Sequence, residues 1–395
     1  MSEIRRQTKA ALLQVHSVAG LALALLWAVV GITGAAMSFE DEIQASLNSD
    51  LTHVDASATR RLTPDELVAR VKATGDFGKV SAVMMAADPT SAVRMRFART
   101  DGGARPSSVY VDPYNGHVLG SPRAEDFFAT VRKLHRWLLL PGDGNGYGRT
   151  ITGTAALCLI MMLITGLVLR WPVRSSSVKV WLKPNLSLRG RGLHRTLHAV
   201  IGTWVLPVYL VITLTGLTYS FAWYKDGAKW LLERPSVPVA PMQPKTPRGA
   251  KTEAAAETKP LGFDRVWTTF LDEQGSRYAR AVLTLPAGAD TVVRVRSWPR
   301  GSTLDTVRDE FRIDAMTGRL VSADLYADKA FGARVLASVL DIHRGAILRW
   351  PGKLAFMLAA ALMPLFTVTG LLLYLSRRRH RRMAARPVGR LVPGE

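Results

Sequence analysis

Four histidines, His16, His135, His198 and His343, stand at the ends of four apolar stretches of this 395-residue chain. A buried imidazole must be hydrogen-bonded, solvated or metal-bound. Neutral imidazole is also a standard axial ligand of haem iron. Two imidazoles fill both axial positions, which favours electron transfer over small-ligand chemistry. The four histidines form two matched pairs. His16 and His198 open the first and third stretches and belong near one membrane face. His135 and His343 lie just ahead of the second and fourth and belong near the other. This pattern predicts two bis-histidine haem sites, one near each face.

The neighbours of these histidines bear on the same chemistry. His194 lies four residues before His198, on the same helical face. It is an alternative inner ligand or a propionate partner, but His198 aligns with His16 without a gap. Arg136 and Arg344 directly follow the outer histidines. They suit haem propionates as charge-assisted donors, or they snorkel to lipid phosphates. His53, His117 and His380 lie in polar segments and read as solvated surface. Zinc held by histidines alone needs three or four convergent ligands, and these histidines belong at opposite faces.

The elements that must position the histidines are four predicted transmembrane helices, residues 11–39, 150–171, 197–223 and 351–376. Each holds about 20 apolar residues, enough to cross about 30 Å of hydrocarbon. The first is longer than a signal-peptide core and has no clear small-residue cleavage site. Counting Arg170 at the end of the second span, seventeen basic residues precede the first span, join the second to the third (172–196) or follow the fourth (377–395), against Glu3 and Glu395. The segment 40–149 balances 14 basic residues with 14 acidic ones, and 225–353 carries 21 against 15. The positive-inside rule then places both termini inside and two large loops outside. Most of the +21 net charge thereby reports topology, not nucleic-acid binding.

The chain also repeats itself. His16-Ser-Val-Ala-Gly20 aligns with His198-Ala-Val-Ile-Gly202, and Thr33-Gly34 with Thr215-Gly216. Leu134-His135-Arg136 aligns with Ile342-His343-Arg344, and Thr165-Gly166 with Thr369-Gly370. A helix–loop–helix unit used twice in one orientation is a parallel internal repeat, with a pseudo-two-fold axis along the membrane normal.

Each external loop reads as a small α+β module, within 40–133 and 224–341. In the first, Thr63-Pro-Asp-Glu has the form of a helix cap. Strand-like runs follow at 80–85, 93–97, 108–111 and 117–119. The second has a helical stretch at 263–271 and runs at 280–285, 291–295, 311–313 and 319–321. Asp112-Pro-Tyr-Asn-Gly116 and Asp314-Ala-Met-Thr-Gly318 are matching turns. Residues 234–260, rich in Pro, Lys and Ala, read as a flexible excursion, and 142–148 as a flexible Gly-rich turn. Pro207 and Pro364 fall within spans three and four and should loosen them. Trp171, Trp181, Trp223, Trp230 and Trp350 fit interfacial belts.

The single cysteine, Cys158, excludes a disulfide framework and an iron–sulfur cluster. No His-Glu-x-x-His, Gly-x-Ser-x-Gly or phosphate-binding Gly loop is present, so nothing points to hydrolysis. No flavin or nicotinamide fingerprint is present either, so another molecule must donate electrons: membrane quinol or a cytoplasmic reductase.

The two strand–turn–strand runs, Val111-Asp-Pro-Tyr-Asn-Gly-His-Val-Leu and Ile313-Asp-Ala-Met-Thr-Gly-Arg-Leu-Val, resemble the signature of PepSY domains. His16 with Thr33-Gly34, Leu134-His135-Arg136, Thr165-Gly-Leu-Val-Leu-Arg-Trp-Pro172 and Leu197-His198-Ala-Val-Ile-Gly-Thr-Trp-Val-Leu-Pro207 resemble the PepSY-associated transmembrane family. The likeness runs from Leu12 to Leu375. Within it, four spans with two external PepSY domains are most similar to FoxB-type siderophore reductases of the bacterial inner membrane. That resemblance implies an integral membrane α-helical protein with two periplasmic PepSY-like domains, two haem b groups and reduction of a ferric siderophore to release its iron. Two other readings are a b-type cytochrome serving another redox protein and a non-redox PepSY membrane regulator.

Overall fold

The computed structural model describes residues 3–98, 107–171, 178–233, 262–286 and 290–384. The expected flexible excursion at 234–260 lies outside the described residues, as do Arg174, Arg386 and Arg390. The helices that position functional groups are α1 (Glu3–Met37), α2 (Pro64–Thr74), α3 (Glu125–Trp137), α4 (Tyr147–Arg170), α5 (Gly190–Ser220), α6 (Phe263–Gln274), α7 (Val339–His343), α8 (Arg349–Ala361) and α9 (Met363–Ala384). The chain divides into two compact units. One comprises 1–40, 127–228 and 339–395, the other 41–126 and 229–338.

The first unit is helical. Four of its segments are long and apolar enough to cross a membrane: Arg6–Met37, Tyr147–Arg170, Gly190–Ser220 and Ala346–Met383. The shortest, at 24 residues, extends about 36 Å at 1.5 Å per residue, more than the hydrocarbon thickness. Large apolar residues such as Leu25, Ile164 and Val368 stay exposed, as lipid-facing surface does. The buried centre is small: Trp27, Ala155, Val205, Tyr209, Ala359 and Met363. Trp27 donates Nε1–H to the Ala155 carbonyl at 3.1 Å, and Tyr209 donates its hydroxyl to Ala359 at 2.7 Å. These bonds satisfy polar atoms that lipid cannot.

The two span prolines behave differently. Pro207 lies inside α5, which continues through it. The fourth span breaks at Leu362, and Pro364 sits in the first turn of α9, where its missing N–H costs little. Packing there is tight: a Cβ on Gly31 of α1 would lie 2.5 Å from Met363 Cβ and 2.7 Å from the Ala360 oxygen.

The second unit is an antiparallel sheet with two helices on one face. Its strands are β1 (Val80–Ala86), β2 (Val93–Phe97), β3 (Ser108–Val111), β4 (Val118–Gly120), β5 (Tyr278–Thr284), β6 (Val292–Pro299), β7 (Asp309–Asp314) and β8 (Leu320–Asp324). They lie in the order β4-β3-β2-β1-β5-β6-β7-β8. Sequence analysis separates two modules, but their strands join in one eight-stranded sheet. The joint is the pairing of β1 with β5, from Ala82↔Thr284 to Ala86↔Arg280. An open first strand in each module leaves unpaired backbone groups, and pairing the two removes both edges.

Alternation along the strands buries one face. Val83, Met85, Val93 and Met95 pack under Leu67 and Val71 of α2. Ala281, Leu283, Val293 and Val295 pack under Val266 and Phe270 of α6. Burying one Phe side chain contributes about 1.5–3 kcal/mol. The two Asp…Gly turns close as their sequences require. Gly116 and Gly318 adopt φ of +75° and +73°, and each donates N–H back to the aspartate carbonyl.

Both helix starts are fixed by side chains. The Thr63 hydroxyl accepts from the Glu66 N–H, and the Glu66 carboxylate accepts from the Thr63 N–H at 2.8 Å. The other cap was not legible in sequence. Asp65 accepts from the backbone N–H groups of Phe263 and Asp264, and Asp264 accepts from that of Asp65 at 2.9 Å. Each helix start therefore caps the other.

Candidate functional site: two histidine pairs

The helical unit brings the four histidines together as two pairs. His16 of α1 meets His198 of α5 with ring centroids 6.4 Å apart and planes at 75°. His135 of α3 meets His343 of α7 at 6.5 Å and 73°. The two sites are separated by the length of a span. Seventeen residues of α1 part His16 from Thr33, which touches His135, or about 25 Å of helix.

One device holds all four rings. His16 Nδ1 lies 2.9 Å from Thr165 Oγ1, and His198 Nδ1 lies 2.8 Å from Thr369 Oγ1. His135 Nδ1 lies 3.0 Å from Thr33 Oγ1, and His343 Nδ1 lies 2.9 Å from Thr215 Oγ1. Every one of these hydroxyls also donates to a carbonyl four residues earlier in its own helix: Val29, Met161, Val211 or Leu365. A hydroxyl has one proton to give. Having given it to the carbonyl, it can only accept from the imidazole. Nδ1 therefore carries the hydrogen, and Nε2 is left with its lone pair. At His135 the Val30 carbonyl, 3.0 Å from Nδ1, fixes the same tautomer independently.

A glycine follows each threonine, and the imidazole lies over it. A Cβ at Gly34, Gly166, Gly216 or Gly370 would lie 3.1, 3.2, 3.4 or 3.6 Å from the Cε1 of His135, His16, His343 or His198. The Thr-Gly pair thus supplies an acceptor and the clearance for the ring beside it. Sequence analysis used these pairs as markers of the repeat and of the family resemblance, not as partners of the histidines. Their recurrence after each histidine in both halves of the chain was the signal of a role.

Burial keeps the His135–His343 pair neutral. Burial pushes His135 down to about 4, and the Arg136 guanidinium adds to this. Burial likewise pushes His343 down to about 4, with His135 and Arg344 contributing. Arg136 lies over the Trp137 ring at 5.0 Å and the Tyr219 ring at 5.8 Å, and Tyr219 meets the His343 ring edge at 6.3 Å. Arg344 Nη2 reaches the Met37 carbonyl at 3.5 Å. Near the other pair, Arg377 donates to Ser17, the neighbour of His16, at 3.0 Å, and Arg170 donates to Thr203 at 2.8 Å.

The remaining sequence candidates fall elsewhere. His194 is half-buried on α5, and the ring that meets His16 is that of His198. His53, His117 and His380 are exposed. Residues 142–148 are not an open turn. Asp143–Asn145 forms a 3₁₀ turn, Lys133 pairs with Asp143 at 3.3 Å, and a Cβ on Gly148 would lie 2.0 Å from the Trp137 oxygen. Among the described residues, no group of three or more His, Cys, Asp or Glu side chains could hold a bare metal ion. Two neutral imidazoles per site can hold a metal whose other ligands arrive with it.

These features define a four-span membrane protein whose helical unit presents two threonine-braced histidine pairs, accompanied by an antiparallel sheet unit with helices on one face. The chain belongs to the PepSY-associated transmembrane family, whose model, described as the PepSY-associated TM region, matches residues 13–377. No curated protein matches it.

Proposed function

We propose that the protein is a di-haem b-type reductase of the bacterial inner membrane. It takes electrons from membrane quinol or a cytoplasmic reductase and reduces a ferric siderophore held on the periplasmic side. The observation that carries this reading is the pairing of neutral, Nδ1-anchored imidazoles. Two imidazoles sharing one metal, with bonds of about 2.0 Å and about 1.1 Å from each ring centre to its nitrogen, would stand with centroids about 6.2 Å apart. The two pairs stand 6.4 and 6.5 Å apart. Haem would supply a one-electron couple, and the two imidazoles of each pair would hold it.

The residues then have assigned tasks. His16 and His198 hold the inner haem, and His135 and His343 the outer one. Thr165, Thr369, Thr33 and Thr215 fix the tautomer and raise ligand basicity. Arg136 and Arg344 neutralise propionates at the outer end. The reading takes both termini as cytoplasmic, the sheet unit as periplasmic, and the two halves of the chain as a parallel repeat. Repeat symmetry brings equivalent histidines to one axis. Reduction loosens the chelate because hard oxygen donors hold the more highly charged ferric ion better. The transfer is outer-sphere and requires no general acid or base.

Pyridine haemochrome analysis tests the reading. The purified protein should carry two haems b, and His16→Ala, His198→Ala, His135→Ala and His343→Ala should each lower haem content by about half. Full haem content in all four variants overturns the ligand assignment. Reoxidation of the dithionite-reduced protein by ferric siderophore, with ferrous iron released, separates this reading from a cytochrome that serves only a protein partner. Purified protein without a Soret band favours the non-redox regulator.

A further inference from the structure

The helices cover one face of the sheet. The other face carries a feature hidden in the linear sequence, where the basic excess of 225–353 is spread over many residues. Strand register gathers arginines there. On β2, Arg94 and Arg96 face away from buried Val93, Met95 and Phe97, and on β6, Arg294 and Arg296 face away from buried Val293 and Val295. Pairing sets Arg96 beside Ala82 and Arg94 beside Met84, then Val282 beside Arg296 and Thr284 beside Arg294. Ala82 pairs with Thr284 and Met84 with Val282. Two arginines thus stand on each side of a floor of small and apolar side chains on the central strands. Three strand spacings part β2 from β6, about 14 Å.

The β6 side is the more unbalanced. Arg280 pairs with Asp305 at 2.5 Å, Arg296 with Glu310 at 3.0 Å and Arg312 with Glu310 at 3.7 Å. Arg308 is held near Arg296 and Arg294, and burial followed by Arg296 lowers its affinity for its proton. Among the described residues, five guanidinium groups there face Asp305, Glu310 and, beside Glu310 on β8, Asp324, which Lys329 pairs with. The Arg294 Nε is buried with no hydrogen-bond partner among the described residues. A buried donor left unpaired is costly unless a ligand satisfies it. Trp298 lies under Arg280 at 4.4 Å and near Arg308 at 5.9 Å, and Tyr110 lies under Arg94 at 5.6 Å. Aromatic faces hold those guanidinium planes in place. On the β2 side the charge is more nearly balanced, since Glu125 pairs with Arg94 at 2.9 Å.

We propose that this arginine-walled face binds the substrate as a compact polyanion, a ferric chelate of the catecholate or carboxylate class. The inference rests on the reductase reading for the identity of the ligand and deepens it. Planar guanidinium groups match paired oxygen donors bidentately. The floor residues Ala82, Met84, Val282 and Thr284 bring no charge of their own between the walls, and the surplus positive charge selects against neutral or cationic chelates of the same size.

The test uses full-length protein in detergent and redox-inert gallium(III) complexes, so binding is read without electron transfer. Calorimetry should show binding of trianionic gallium tris-catecholate that weakens about tenfold as salt is raised from low to physiological strength. Arg294→Gln and Arg296→Gln should each weaken it by about fivefold or more. Thr284→Asp adds a carboxylate to the floor without removing a guanidinium and should weaken it about tenfold. Arg319→Gln, exposed in the β7–β8 turn, should leave it unchanged. Equal affinity in wild type and Thr284→Asp overturns the inference, as does equal binding of a cationic gallium trihydroxamate. Pyrophosphate binding as tightly as the tris-catecholate would assign the face to phosphate chemistry and likewise overturn it. Haem content read on the same samples keeps the two readings apart. Thr284→Asp with both haems and weak binding supports this site, whereas protein without haem that still binds gallium complexes removes only the reductase reading.

Discussion

His16 and Thr165 lie 149 positions apart in the chain, and their Nδ1 and Oγ1 atoms lie 2.9 Å apart. The bond ties the first span to the second and sets which imidazole nitrogen stays free. His198 and Thr369, 171 positions apart, do the same for the third and fourth at 2.8 Å. Packing of the helices and chemistry of the site therefore rest on the same four bonds.

Valine in place of these threonines keeps their volume and removes the acceptor. Thr165→Val should leave the Nδ1–H of His16 unsatisfied, destabilising the protein by about 1–3 kcal/mol. It should also lower haem affinity at the inner site by about 10–100-fold, the usual cost of losing a partner behind a ligating histidine. Thr33→Val should act at the outer site only. Thr367→Val, whose hydroxyl bonds the Ala24 carbonyl and no histidine, should keep both haems. Haem titration followed by absorbance measures this, and unchanged affinity in Thr165→Val would remove threonine from the account.

The glycines predict a graded series. A methyl at Gly34 meets His135 at 3.1 Å and at Gly166 meets His16 at 3.2 Å, tighter than ordinary contact. At Gly216 and Gly370 the distances are 3.4 and 3.6 Å. Alanine should therefore perturb Gly34 most, then Gly166, then Gly216, and Gly370 least. The low-spin haem signals in electron paramagnetic resonance report the ring shift at each site. Indistinguishable spectra for Gly34→Ala and Gly370→Ala would contradict the geometry.

His194 and His198 lie one helical turn apart, and only His198 pairs with His16. His198→Ala should halve the haem content, while His194→Ala should retain both haems. The reverse result would move the inner ligand back one turn, the alternative that sequence alone left open.

Much of this was readable in the chain. Apolar length gave the four spans, and alternation gave the strands to within a residue or two at β2 and β3. Equal spacing from His to Gly marked the pair His16 and His198, and the shared His-Arg step marked His135 and His343. What escaped depends on contacts far apart in sequence. The hydroxyl of Thr165 reads as an ordinary helix residue until His16 is beside it. The pairing of β1 with β5 has no local signal, because both strands alternate as if their modules were separate. Arg94 and Arg294 sit 200 positions apart and reach one face only through that pairing.

Asp65 and Glu66 are neighbours that should titrate in opposite senses. Burial raises the Asp65 carboxyl above its usual range, with Asp264 adding repulsion, despite the backbone N–H groups it accepts from. Folded Asp65 therefore holds its proton more tightly than the unfolded chain does. The stability this contributes is present in acid and is lost as pH rises from the ordinary carboxylate value through the raised one. The Arg60 guanidinium and the Thr63 N–H hold Glu66 down to about 2. Its contribution is present above the ordinary glutamate value and is lost as pH falls toward 2. Asp65→Asn should flatten the loss of stability on the rising side, and Glu66→Gln the loss on the falling side. Hydrogen exchange at the amides of Phe263, Asp264 and Thr63, corrected for intrinsic rates, reads both limbs. A pH profile unchanged in Asp65→Asn would show that the reciprocal caps do not couple the two helix starts to protonation.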